Sequence, residues 1–141
     1  MLEFLRILFF AKTVLLTPQP VTLLGDMELR PQEPLTAITS GAGIEIDVTS
    51  MLARRQDEGI VDLRRRVVEA FPRGRIEARL LGKGPEVLLR YEGGVAVSDD
   101  AIVLGLVAEG GIPTDAEFDR VILKTAVKLE SVRVSWRNAK H

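Results

Sequence analysis

The chain has 141 residues, 46% of them hydrophobic, with a formal net charge of -1, a pI near 5.9 and a mean hydropathy of +0.14. This composition excludes a disordered chain, and the near-neutral balance supplies no basic field for generic nucleic-acid binding. Cysteine is absent and the single histidine is the terminal His141. Disulfides, thiolate chemistry, histidine metal sites and a Ser-His-Asp triad therefore lack their usual residues.

Met1 to Leu16 is the greasiest stretch. Twelve of its sixteen residues are apolar, including Phe4, Phe9 and Phe10, and only Glu3, Arg6, Lys12 and Thr13 are polar. Thr17-Pro18-Gln19-Pro20 closes it. The segment must be hidden, and three fates are open. As a membrane anchor it is short, because spanning takes about 20 apolar residues and the cleanest run is Ile7 to Leu16, interrupted by Lys12. If it does span, Arg6 and Lys12 place the N-terminus in the cytoplasm and the remaining domain outside; the alternative is a soluble cytoplasmic protein. A cleaved signal peptide fits less well, since no small-x-small cleavage site follows Leu16. Packing in the core or against a partner suits an apolar surface that runs almost all round a helical wheel. The expected division is an anchor or docking segment over residues 1–17 and a folded domain over residues 20–141.

From Val21 the pattern is mostly of period two. Short strand candidates are Val21 to Leu24, Met27 to Leu29 and Leu35 to Thr39, with Pro31 and Pro34 between them. After Ser40-Gly41-Ala42-Gly43, residues Ile44, Ile46 and Val48 alternate with Glu45, Asp47 and Thr49, a half-buried strand. The exception to strand periodicity is Ser50 to Phe71, where a helix over about residues 57–71 is preferred to an alternating strand through Val61, Leu63, Val67 and Phe71 broken by Arg65 and Glu69. Ile60, Leu63, Val67 and Phe71 recur at helical spacing, and Phe71-Pro72-Arg73-Gly74 reads as a stop.

Ile76, Ala78 and Leu80 then alternate with Arg75, Glu77 and Arg79, and a Gly82-Lys83-Gly84-Pro85 turn joins this strand to Val87, Leu89 and Tyr91 as a hairpin. Ala101 to Ala108 is a continuous apolar run suited to a strand covered on both faces. Thr114-Asp115-Ala116-Glu117 reads as a capping box on one helical turn. Val121 to Lys124 forms a strand, and Val132, Val134 and Trp136 alternate with polar residues in another. Seven to nine short strands with turns about every ten residues predict a mainly β fold. The expected architecture is an antiparallel β-sandwich with one inserted helix and the apolar N-terminal segment. The predicted core is Ile46, Val48, Leu80, Leu89, Leu104, Val121, Val134 and Trp136.

Two charged stretches are candidates for chemistry. Between Met51 and Leu81 lie eight arginines, among them Arg64, Arg65 and Arg66, which suit acidic headgroups or an acidic partner. Five carboxylates share that stretch, and the four-residue spacings Asp62 to Arg66 and Arg65 to Glu69 predict ion pairs on a solvated face. The acidic residues Asp99, Asp100, Glu109, Asp115, Glu117 and Asp119 could gather around Ca²⁺ or act on a glycoside, but they read more simply as turns and caps. No glycine run has phosphate-loop spacing. Trp136 and Tyr91 fall in phase with apolar strand residues, which places them in the core rather than on a sugar platform.

The expected role is therefore non-catalytic, with no cofactor and no metal. The chain reads as a structural or accessory subunit that docks onto a membrane or larger assembly. Its interaction residues would be Phe4, Phe9, Phe10, Leu15 and Leu16, with Arg64, Arg65 and Arg66. The alternative is a soluble module binding polysaccharide or Ca²⁺, and a carboxylate hydrolase comes third.

Overall fold

In a computed structural model of the chain, the residues described are 13–98 and 100–138. The elements in order are β1 (Thr13–Leu15), β2 (Val21–Leu29), β3 (Leu35–Thr36), β4 (Gly43–Asp47), a short 3-10 turn (Thr49–Met51), α1 (Ile60–Ala70), β5 (Ile76–Lys83), β6 (Val87–Val97), β7 (Ile102–Ala108) and β8 (Glu117–Arg137).

The mainly β class expected from the sequence holds. In place of a two-layer sandwich, however, the pairing closes into a five-stranded barrel. Going round it, β4 pairs with β7, β7 with β6, β6 with β5, β5 with β8, and β8 with β4. β1, β2 and β3 pair with successive stretches of β8 as outer strands. Every one of these contacts is antiparallel. Five straight strands cannot alternate direction around a closed ring, so one strand must turn. β8 does so: residues 117–125 run beside β5, and residues 133–137 run beside β4.

The turn in β8 has a local cause. Its pairing with β2 shifts register twice between Val132 and Thr125, and Ser131 adopts a left-handed φ of 52°. Bulges of this kind bend a strand and raise its twist. The burial phase slips with them: Val121, Leu123, Thr125 and Leu129 face inward before the bend, and Val132, Val134 and Trp136 after it. The two separate strands read from the sequence are thus one. Similarly, the residues predicted as a capping box form a plain turn, after which Glu117 enters β8 and Phe118 is buried.

All eight predicted core residues are fully or almost fully buried, and Leu106, Leu123, Tyr91 and Ile44 join them. β7 is not covered on both faces as expected. Ile102, Leu104 and Leu106 point inward while Val107 remains 40% exposed. Barrel closure makes the strands approach closely: a Cβ on Gly43 would stand 2.5 Å from the Leu106 carbonyl oxygen, which explains glycine there. Among the described residues, no helix is long and apolar enough to cross a membrane.

Candidate functional site

The described end of the N-terminal block lies along β8. Thr13, Val14 and Leu15 pair with Arg137, Trp136 and Ser135. Leu16 and Thr17 then turn into the protein. The Leu16 N–H donates to the Val134 carbonyl at 2.9 Å, and the Thr17 hydroxyl oxygen accepts the Val134 N–H at 3.0 Å. Leu16 is 8% exposed and Thr17 2%, whereas Val14 and Leu15 are 48% and 61% exposed. Of the apolar candidates, Leu15 thus faces solvent and Leu16 belongs to the core. Phe4, Phe9 and Phe10 lie outside the described residues.

The second candidate region is α1. Its one-sided anchoring follows from sequence spacing, since Leu63, Val67 and the following Phe71 recur every four residues and all point into the core. No side chain caps its start at Gly59. The preceding loop is held instead by a clamp between Glu58 and Arg66. Arg66 Nε donates to Glu58 Oε2 at 2.7 Å and Nη2 donates to Oε1 at 2.8 Å, a bidentate pair. The same Nη2 reaches the Ala53 carbonyl at 2.8 Å, and the Arg55 N–H donates to Glu58 Oε1 at 3.1 Å. These donors, Arg66 foremost and the Arg55 amide next, hold the Glu58 carboxyl at about 2, below its ordinary 4.5. The same hydrogen bond raises Arg66.

The three arginines are therefore divided. Arg66 serves the fold. Arg64 and Arg65 lie on the outer face, where Ile60, Val61 and Val68 surround them, 52%, 72% and 45% exposed. Arg65 contacts Asp62 at 3.6 Å, with both side chains about two-thirds exposed. The expected four-residue pairs give way to these partners because Arg66 sits toward the loop rather than the solvent.

Sequence reading missed a third feature, a groove of ≈ 810 Å³ on the outer surface of β6 and β7. Leu88, Arg90, Glu92, Val107 and Glu109 line it, with Glu86 at one end. Strand alternation gathers them, since Leu89 and Tyr91 point the opposite way into the barrel. Its signal was available in the Glu86-x-Leu88-x-Arg90-x-Glu92 alternation.

The acidic stretch assembles no equivalent site. Asp99 lies outside the described residues, and among the described ones no group of three or more His, Cys, Asp or Glu could hold a metal. The β6–β7 turn is closed by the Ser98 N–H donating to Ala101 and by the Ala101 N–H donating to Ser98 Oγ. Trp136 and Tyr91 are 1% and 0% exposed, so neither can stack on a sugar. The Trp136 indole N–H donates to the Thr36 carbonyl, and the hydroxyls of Tyr91 and Thr125 have no hydrogen-bond partner among the described residues. No protein family, curated protein or solved structure matches the chain.

Proposed function

We propose that the chain is a non-catalytic accessory subunit, a small closed barrel that docks onto a membrane or a larger assembly through its apolar N-terminal segment. The observation that carries this reading is the contrast within β1 and the residues after it. Leu16 and Thr17 fasten the segment to β8, while Val14 and Leu15 present apolar surface to solvent immediately beyond that anchor. Apolar residues exposed beside a finished core serve an interaction better than they serve the core.

The test is removal of residues 1–12, which spares Leu16 and Thr17. Flotation with vesicles and capture of co-purifying subunits would be compared between the intact and shortened proteins. The shortened form is expected to unfold cooperatively at an unchanged midpoint and to lose the association. Phe9→Ser with Phe10→Ser should weaken association by about 3–6 kcal/mol, the loss of two large apolar anchors. A shortened protein that unfolds, or an intact one that neither floats nor associates, would overturn the reading.

A further inference from the structure

We propose that the chain associates head-to-tail with further copies of itself, the outer face of α1 in one copy seating in the β6–β7 groove of the next. The inference is independent of the N-terminal segment.

Two surfaces of opposite charge and similar apolar make-up carry it. On α1, Ile60, Val61 and Val68 expose aliphatic carbon around Arg64 and Arg65. Among the described residues Arg64 makes no ion pair, and Arg65 has only the exposed contact to Asp62. In the groove, Leu88 and Val107 supply an apolar floor, and Glu86, Glu92 and Glu109 supply the rim. None of those three carboxylates has an ion-pair partner among the described residues, while the one cation there, Arg90, is 3.8 Å from Glu77. Each surface thus offers what the other lacks, an apolar strip flanked by exposed charge of the opposite sign. Charge complementarity of this kind fixes the orientation of an encounter.

A single copy cannot satisfy both surfaces. Leu63, Val67 and Phe71 pin the helix to its own core, and its C-terminal end is tied near Tyr91, where the Gly74 N–H donates to the Tyr91 carbonyl at 2.8 Å. The groove lies on the outward face of β6, from Glu86 to Glu92, while Leu89 and Tyr91 of the same stretch point into the barrel. Because the two surfaces are different, the contact is heterologous, and repetition gives either a closed ring or an open chain of copies.

Sedimentation velocity of the full chain over a concentration series is the test, with two charge-reversed variants, Arg64→Glu with Arg65→Glu and Glu92→Lys with Glu109→Lys. All four positions are exposed, so both variants should keep the native circular dichroism and melting curve. The intact protein is expected to show species at multiples of 15.5 kDa, which dissociate as salt is raised. Each variant alone should associate about tenfold more weakly or worse. An equimolar mixture should regain the larger species, since acidic helices then meet basic grooves and the native pairing persists in alternation. Monomeric intact protein would overturn the proposal. So would association that neither variant changes, which points to the N-terminal segment, and so would failure of the mixture to recover. Monomeric protein that binds anionic lipid vesicles through Arg64 and Arg65 would assign the helix face to a membrane instead.

Discussion

The barrel and its one helix are both held by buried aliphatic residues, but they are built to different tolerances. Each barrel strand is fixed by two neighbours, and residues such as Ile46, Leu89, Leu104 and Val134 are fully enclosed. The helix is fixed on one side only, by Leu63, Val67 and Phe71, with a salt-bridged loop at its start. The difference teaches that equal burial does not mean equal constraint. A strand in a closed ring cannot move to fill a void, whereas a helix packed through one face can settle.

That contrast can be broken most directly with one substitution made twice. Leu104→Ala in the barrel is expected to cost about 4–5 kcal/mol, and Leu63→Ala under the helix about 2–3 kcal/mol, because the cost of a cavity depends on how far the site collapses. Denaturant titration of both variants checks this, and equal costs would remove the distinction. A smaller effect sharpens the barrel side. Thr125 buries a hydroxyl that has no partner among the described residues, so Thr125→Val should leave stability unchanged or raise it by up to about 1 kcal/mol. A clear loss in the melting temperature would mean that the hydroxyl is satisfied in solution.

The smallest effect belongs to the helix side and is local. The Glu58 carboxyl is held near 2 in the folded protein, below its ordinary 4.5, so its contribution is present above pH 4.5. It should fade as the pH falls from 4.5 toward 2. Hydrogen-exchange protection factors across residues 53–66, corrected for the intrinsic pH dependence of exchange, are expected to fall over that window while the barrel amides stay protected. Glu58→Gln should abolish the pH dependence of this protection, leaving the segment loose throughout.

The parts legible in the sequence were those governed by a single period. Alternation found the barrel interior, including Trp136, and fourfold spacing found α1 within a few residues. Its start lies at Ile60 rather than residue 57 because Asp57 takes a left-handed φ of 61° and Glu58 is drawn into the Arg66 clamp. Closure of the barrel was not legible, because the phase slip around Ser131 makes one bent strand look like two. Nor did spacing reveal that Arg64 and Arg65 would part from Arg66, or that Leu15 and Leu16 would face opposite ways. Those outcomes depend on which neighbour each residue meets after the chain has folded back on itself.

β8 also has a meaning in time. It carries the pairing surface for β1, β2, β3, β4 and β5, all of which precede it in the chain. On a ribosome, Leu29 must wait for Val121, its partner, for about 5 to 20 s at ordinary rates of synthesis. Through that interval the earlier strands have open edges and no lid over their apolar faces. The newborn chain is therefore most vulnerable to aggregation, and most dependent on a chaperone, until its long last strand arrives.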